Sequence, residues 1–310
     1  MKTKLTLTLA ALLTSASLTF ATNYDVRVVA SGLQRPTGIV ALGDDILFFS
    51  QVPTPGVPGT MGGSNSVDAL FVPTGEMFNI ESGNPQPENL ALDRRGRLYW
   101  TCKSAGVILM TDYRDGVTKL LTGLDHPNGI AVGPRNNNVY YTTLPTPGVP
   151  GTMGGSNTVD VFNGSTSTVL ELGDPEPTDI AVDWFGNLYW TCHSAGVILK
   201  RDAAGNVTKL LTGLHSPTGI AVDAWGRNLY FTEVPTPGMP GSLGGSNAVW
   251  RVHLATMKTD LISSGDPEPH AVTVALDGDV FWTCSSAGVI KEAQPQRDHF
   301  RWFGDRDDRD

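Results

Sequence analysis

The chain has 310 residues, 40% hydrophobic and 17% charged, with 35 Gly and 21 Pro. That much apolar chain excludes disorder, and 22 Lys and Arg against 31 Asp and Glu leave no electrostatic footprint for a nucleic-acid backbone. Gly and Pro exceed ordinary usage without reaching low-complexity levels, so the chain turns often.

The first segment carries Lys2 and Lys4, an apolar stretch from Leu5 to Leu18 diluted with Thr and Ser, and the small-residue cleavage site Thr19-Phe20-Ala21. This is the pattern of a secretory signal peptide, assigned to residues 1–21. The stretch is too short and too rich in hydroxyls for a membrane anchor, and no later segment is apolar enough to span a bilayer. The expectation is a monomeric exported protein, secreted or periplasmic, with no membrane span and no nucleic-acid partner.

Tyr24 to Ala30 reads as a strand, and almost everything after residue 30 occurs three times. One half-unit begins Leu33-Gln34-Arg35-Pro36-Thr37-Gly38-Ile39 and returns at Leu124 and Leu214. The other begins Asn84-Pro85-Gln86-Pro87-Glu88-Asn89-Leu90 and returns at Asp174 and Asp266. The two are variants of each other, so the true period is ~45 residues and there are six units, the length of a propeller blade. The fourth unit is the clearest, with strands expected at Thr178 to Asp183, Asn187 to Cys192, Gly196 to Arg201 and Val207 to Thr212. Runs such as Ile180-Ala181-Val182 lack strict alternation because both faces of a blade pack on neighbours.

These observations specify an all-β chain: a six-bladed β-propeller of four-stranded blades over residues 22–293, pseudo-three-fold by two-blade repeats, with a charged, mobile tail over 294–310. The last unit supplies three strands and then runs into the tail, so Tyr24 to Ala30 is expected to complete that blade and close the ring.

The phrase Pro217-Thr218-Gly219-Ile220-Ala221-Val222-Asp223, followed by Gly226-Arg227-Asn228-Leu229-Tyr230-Phe231-Thr232-Glu233, resembles the NHL repeat, and Leu188-Tyr189-Trp190-Thr191 resembles the YWTD repeat of lipoprotein-receptor propellers. Both resemblances imply six-bladed propellers. They fix function weakly, because such blades serve binding modules, lactonases, phosphotriesterases and lyases.

Cys102, Cys192 and Cys284 close three copies of one phrase. They are expected on second strands, more than ten ångströms apart, too far for one metal to bridge, so they read as buried structural thiols. Trp100, Trp190 and Trp282 read as blade-packing residues.

Loops joining successive blades, and those joining strands two and three, fall on one face. Thr37, Glu88, Asn128, Thr178, Thr218 and His270 follow the inner-strand prolines there, with Asn89 and Asp179 beside them. Glu88, Asn128 and Asp179 are oxygen donors suited to Ca²⁺ or Mg²⁺. Similar Glu, Asn and Asp sets hold calcium in gluconolactonase-like propellers, and Pro269-His270 resembles the channel histidines of virginiamycin B lyase, which implies a general base at His270. The lyase pattern has further His and Glu at neighbouring positions; one blade earlier this chain has Thr218.

The same face receives three insertions, at Pro53 to Asn65, Pro145 to Asn157 and Pro235 to Asn247, which hold nine of the 21 prolines and twelve of the 35 glycines. They read either as ornamental loops kept by duplication or as a collar around the axis, presenting Val57, Met61, Val149, Met153, Met239 and Leu243. His193 stands in the Ser-Ala-Gly turn beside them. The leading expectation is a binding or interaction propeller that takes an apolar or extended ligand, whether small molecule, polymer or protein, on the loop-bearing face. The alternative is a metal-dependent, lactonase-like hydrolase or a lyase at the axial mouth.

Overall fold

The computed structural model describes residues 24–53, 65–112, 116–145, 157–235 and 247–296. The expected signal peptide, the tail beyond 296, and Val57, Met61, Val149, Met153, Met239 and Leu243 lie outside the described residues.

The described residues form 24 strands in six antiparallel sheets of four. Blade 1 is β2 (Pro36–Leu42), β3 (Ile46–Gln51), β4 (Ser66–Phe71) and β5 (Glu76–Ser82). Blade 2 is β6 (Pro87–Leu92), β7 (Leu98–Cys102), β8 (Val107–Thr111) and β9 (Val117–Leu121). Blade 3 is β10 (Pro127–Val132), β11 (Val139–Thr143), β12 (Thr158–Phe162) and β13 (Ser167–Leu172). Blade 4 is β14 (Pro177–Val182), β15 (Leu188–Cys192), β16 (Val197–Arg201) and β17 (Val207–Thr212). Blade 5 is β18 (Pro217–Val222), β19 (Asn228–Glu233), β20 (Ala248–His253) and β21 (Lys258–Ser264). Blade 6 is β22 (Pro269–Val274), β23 (Val280–Cys284) and β24 (Val289–Pro295), completed by β1 (Tyr24–Ala30). The ring is closed by pairing from Tyr24 with Pro295 through Ala30 with Ile290. β24 runs two residues past the expected boundary at 293 because β1 offers partners as far as Pro295.

The core lies between blades. Trp190, Leu188, Ile180 and Cys192 of blade 4 pack on Ala131, Tyr140 and Val159 of blade 3. Trp100 with Cys102 repeats the arrangement between blades 2 and 1, and Trp282 with Cys284 between blades 6 and 5. All three indoles are fully buried, and truncating such a group to Ala costs about 3–5 kcal/mol. The three free thiols sit in three separate clusters, as the spacing implied. Burial pushes the Cys102 and Cys284 thiols up to about 12 and raises that of Cys192 as well, so none is a ready thiolate.

One irregularity positions the site. In every blade the pairing of strand one with strand two slips immediately after the inner-strand Pro, as between Pro177 and Ile180 or Pro269 and Val272. The two residues skipped in each blade are the ring residues, so their backbone groups leave the ladder and point to the next blade.

Candidate functional site

Six non-glycine residues enter the ring in left-handed backbone, each directly before an inner-strand Pro: Arg35, Gln86, His126, Glu176, Ser216 and Glu268, with φ between 49° and 56°. Such a conformation costs roughly 1–2 kcal/mol per residue and persists where its surroundings over-determine it. Here the carbonyl of each accepts a backbone N–H from just beyond strand two, those of Val52, Lys103, Leu144, His193, Val234 and Ser285, at 3.0–3.1 Å. The local cost is thereby converted into six identical turns around the axis.

Inside those turns runs a belt of buried hydroxyls. Thr191, fully buried at the third position of its Tyr-Trp-Thr phrase, accepts the Asp179 N–H at 3.1 Å and donates to the Thr218 carbonyl of the next blade at 2.7 Å. Thr101 links Asn89 N–H to the Asn128 carbonyl, Ser50 links Gly38 N–H to the Glu88 carbonyl, and Thr232 links Gly219 N–H to the His270 carbonyl. Thr283 links Ala271 N–H to the Thr37 carbonyl and so carries the belt across the ring closure. Each hydroxyl satisfies a backbone donor and an acceptor that the register slip had released. Close approach is set by Gly38, Gly129 and Gly219: a Cβ on Gly129 would lie 2.7 Å from the Asp179 Cα.

The belt leaves a polar cavity of about 30 Å³ on the axis, the size of one water molecule. Asn89, Asn128, Thr178, Asp179, Thr218, Gly219 and His270 line it, so three of the four expected axial residues share one place. Glu88 does not line it; its Oε1 accepts the Gln86 amide at 2.7 Å. Asn128 Nδ2 donates to the Thr178 carbonyl at 2.9 Å. Asp179 is fully enclosed, accepting N–H groups from Ile180 at 2.9 Å and Ile220 at 3.0 Å, and desolvation pushes its carboxyl up to about 7. His270 is only partly buried, but desolvation still lowers its pKa against the pull of Glu88 and Glu268, and its Nδ1 has no hydrogen-bond partner among the described residues. With Glu88 turned to Gln86, one carboxylate and two carboxamides face the cavity, fewer anionic oxygens than Ca²⁺ or Mg²⁺ ordinarily takes from protein. Among the described residues no three His, Cys, Asp or Glu side chains come together to hold a metal ion.

The insertions spring from the same face at three equivalent anchors. Val52, Leu144 and Val234 are buried at their starts, and Asn65, Asn157 and Asn247 at their ends, where the Asn carbonyls accept the N–H of Gly83, Gly173 and Gly265 at 2.9 Å. Beside the third anchor lies an open pocket of about 520 Å³ between blades 4 and 5, lined by Glu176, His193, Ser194, Leu214, His215 and Pro235 among others. His193 Nδ1 stands 3.3 Å from Glu176 Oε2, tying the β15–β16 turn to the left-handed entry of β14. Ser194 Oγ is buried without a hydrogen-bond partner among the described residues. Glu233, buried at the end of β19, accepts His215 N–H and Trp250 Nε1–H at 2.7 Å each, which fixes the far wall. Sequence reading found His193 and missed Leu214, His215 and Glu233, because the three belong to different positions of the repeat. The hydroxyl belt was also missed, although its signal, a Ser or Thr at one position of all six units, is plain in the sequence.

No family model matches the chain. A low-density lipoprotein receptor-related protein 1 of Pyricularia oryzae is 27% identical over 253 residues, covering 68% of this chain and 79% of that protein. Among solved structures, a gluconolactonase from Xanthomonas campestris has a TM-score of 0.68 at 14% identity, over 88% of this chain and 90% of its own. A streptogramin B lyase has a TM-score of 0.59 at 17% identity, over 88% and 98%. Virginiamycin B lyase from Staphylococcus aureus has 0.58 at 17%, over 89% of each chain. The likeness is one of fold. The chain is a six-bladed propeller with YWTD-like repeats, and no helix among its described residues is long and apolar enough to cross a membrane.

Proposed function

We propose that this propeller is an exported binding protein whose loop-bearing face takes an extended ligand, a peptide or polymer segment, with one apolar group seated in the pocket beside His193. The observation that carries the reading is the contrast on that face: the axial groups surround a cavity of only about 30 Å³, while an open pocket of about 520 Å³ stands at the root of the third insertion. A pocket of that size suits a ligand, and its Leu214, Ala195 and Pro235 lining with a few polar groups suits an apolar anchor held in register by hydrogen bonds. The test is a screen of peptide and glycan arrays with the native protein and with His193→Ala and Leu214→Asp variants. Array partners lost by both variants, with the melting temperature kept, support the reading; partners unchanged by either remove it.

The alternative, a metal-dependent hydrolase or lyase on the axis, is favoured by Asp179 and His270 sharing one cavity on a fold that lactonases and lyases also use. It requires the belt to open and Glu88 to leave Gln86. Stoichiometric Ca²⁺ binding in equilibrium dialysis together with turnover of a simple lactone would replace the binding reading.

A further inference from the structure

A second cavity lies on the axis, on the far side of Asp179, and the loop-face reading does not use it. About 230 Å³ in volume, it is bounded by the inner strands of all six blades. Most of the residues around it are aliphatic, with Leu92, Val132, Val182 and Val222 at the outer end and Thr273 of blade 6 among them; the inner strands also turn polar backbone edges to it, and Asn89 and Asp179 stand at its inner end beneath the hydroxyl belt. Asp179 is thus shared by both axial cavities. Among the described residues it makes no ion pair: its two oxygens accept only backbone N–H groups, one of which comes from the neighbouring blade. A buried carboxyl without a counter-ion at the inner end of such a channel is complementary to a ligand that brings the cation with it.

The rim supports the same conclusion from separate residues. The channel opens among the turns joining strands one and two, on the face opposite the insertions. Three of those turns display Trp184, Phe185, Trp225 and Leu276, the last two more than 70% exposed. Tips of such turns are ordinarily polar. These turns are held rigidly: Asp183 Oδ1 accepts the Phe185 and Asn187 N–H groups at 2.9 Å, and Asp223 Oδ1 accepts that of Arg227 at 2.7 Å. The aromatic groups of blades 4 and 5, with Leu276 of blade 6, are therefore presented on rigid turns at the end of the propeller where the channel opens.

We propose that this channel binds an amine-tipped apolar small molecule, an alkyl- or arylalkylamine, with its ammonium on the Asp179 carboxylate and its body against the aliphatic walls and the Trp225 turn. From Asp179 to Val182 is three residues of strand, about 10 Å, which is the reach of an extended hexylammonium ion. Burial of each methylene contributes roughly fourfold in affinity.

The test is calorimetric titration of the full chain with n-hexylamine, n-butylamine, n-hexanol and n-hexanoate at fixed pH and salt. Hexylamine is expected to bind ~tenfold or more tightly than hexanol, butylamine ~16-fold more weakly than hexylamine, and hexanoate not at all. Asp179→Asn is expected to reduce hexylamine affinity to that of hexanol. Ala221→Leu, which fills the channel without touching the carboxyl, is expected to weaken both and keeps the test decisive if the Asn variant fails to fold. No hexylamine binding at millimolar concentration, or equal binding of hexanoate, overturns the proposal. So does binding that emerges only when residues 297–310 are removed, since β24 ends at Pro295 beside Gly278 on this face and the occupant would then be the Phe300, Trp302 and Phe303 segment. His193→Ala is expected to leave hexylamine binding unchanged, which separates this site from the loop face.

Discussion

The two ends of the propeller axis are built on opposite principles. At the loop-bearing end, backbone groups released by the register slip are satisfied one by one by hydroxyls from the neighbouring strand, and the space that remains holds a single water-sized volume. At the turn-bearing end, the inner strands stay in ladder register, their side chains are Val, Ala, Ile and Leu apart from Thr273, which accepts the Ala41 N–H of the next blade at 3.2 Å, and a channel of about 230 Å³ remains open. The difference teaches that closure of a propeller axis is set by where polar backbone is left over. Buried hydroxyls join adjacent blades at one end, and mainly aliphatic packing joins them at the other.

The largest effect on that contrast is expected from Gly129→Val. Its Cβ would meet Asp179 backbone at 2.7–3.0 Å, neither side can yield without parting blades 3 and 4, and a loss of ~3 kcal/mol or more is expected in urea unfolding. Next comes Thr191→Val, which keeps the volume but orphans the Asp179 N–H and leaves the Thr218 carbonyl only the longer Thr178 hydroxyl contact at 3.4 Å. It is expected to cost about 2–3 kcal/mol, and a cost below about 0.5 kcal/mol would show that the belt does not join the blades.

A third prediction uses pH. The Asp179 carboxyl is raised from 3.8 to about 7, so the folded state holds a proton that the unfolded chain releases. Its contribution is present in full below about pH 4 and is lost as pH rises through about 7. His270 works the other way: its lowered pKa favours the folded state at higher pH, and that contribution is lost as pH falls below the ordinary 6.5. The two slopes oppose in native protein. In Asp179→Asn the His270 limb stands alone, so the native protein is expected to lose stability relative to the variant between pH 5 and pH 8; a constant difference in melting temperature would contradict the burial of this carboxyl. The smallest effect is expected from Trp225→Ala, an exposed turn-tip residue, which should change stability by less than about 0.5 kcal/mol while weakening capture of hexylamine.

Much of this architecture was legible in the sequence because it repeats. The Tyr-Trp-Thr-Cys phrases gave the period, the missing fourth strand of the last unit gave the closing role of residues 24–30, and separate positions around the ring gave inert thiols. The axial ring was legible as a set of positions: Asn128, Asp179 and His270 do share a cavity. What stayed hidden was the direction of Glu88, which depends on Gln86 in a left-handed conformation, and the enclosure of Asp179, which depends on Ile220 of the next blade. The pocket beside His193 was partly hidden for the same reason, since Leu214 and His215 reach it from the link between blades. Contacts that cross from one repeat to the next leave no periodic trace in either.

The pairing of β1 with β24 has a bearing on how such a chain is made. Arg27 and Glu292, which form an ion pair across that seam, are separated by 265 residues. A strand emerging among the first residues of the domain must wait, with one edge unpaired, until nearly the whole domain has followed it. Synthesis delivers the first strand of the sixth blade and its other three strands at opposite ends of the domain, and the ring becomes a single cooperative object only when they meet.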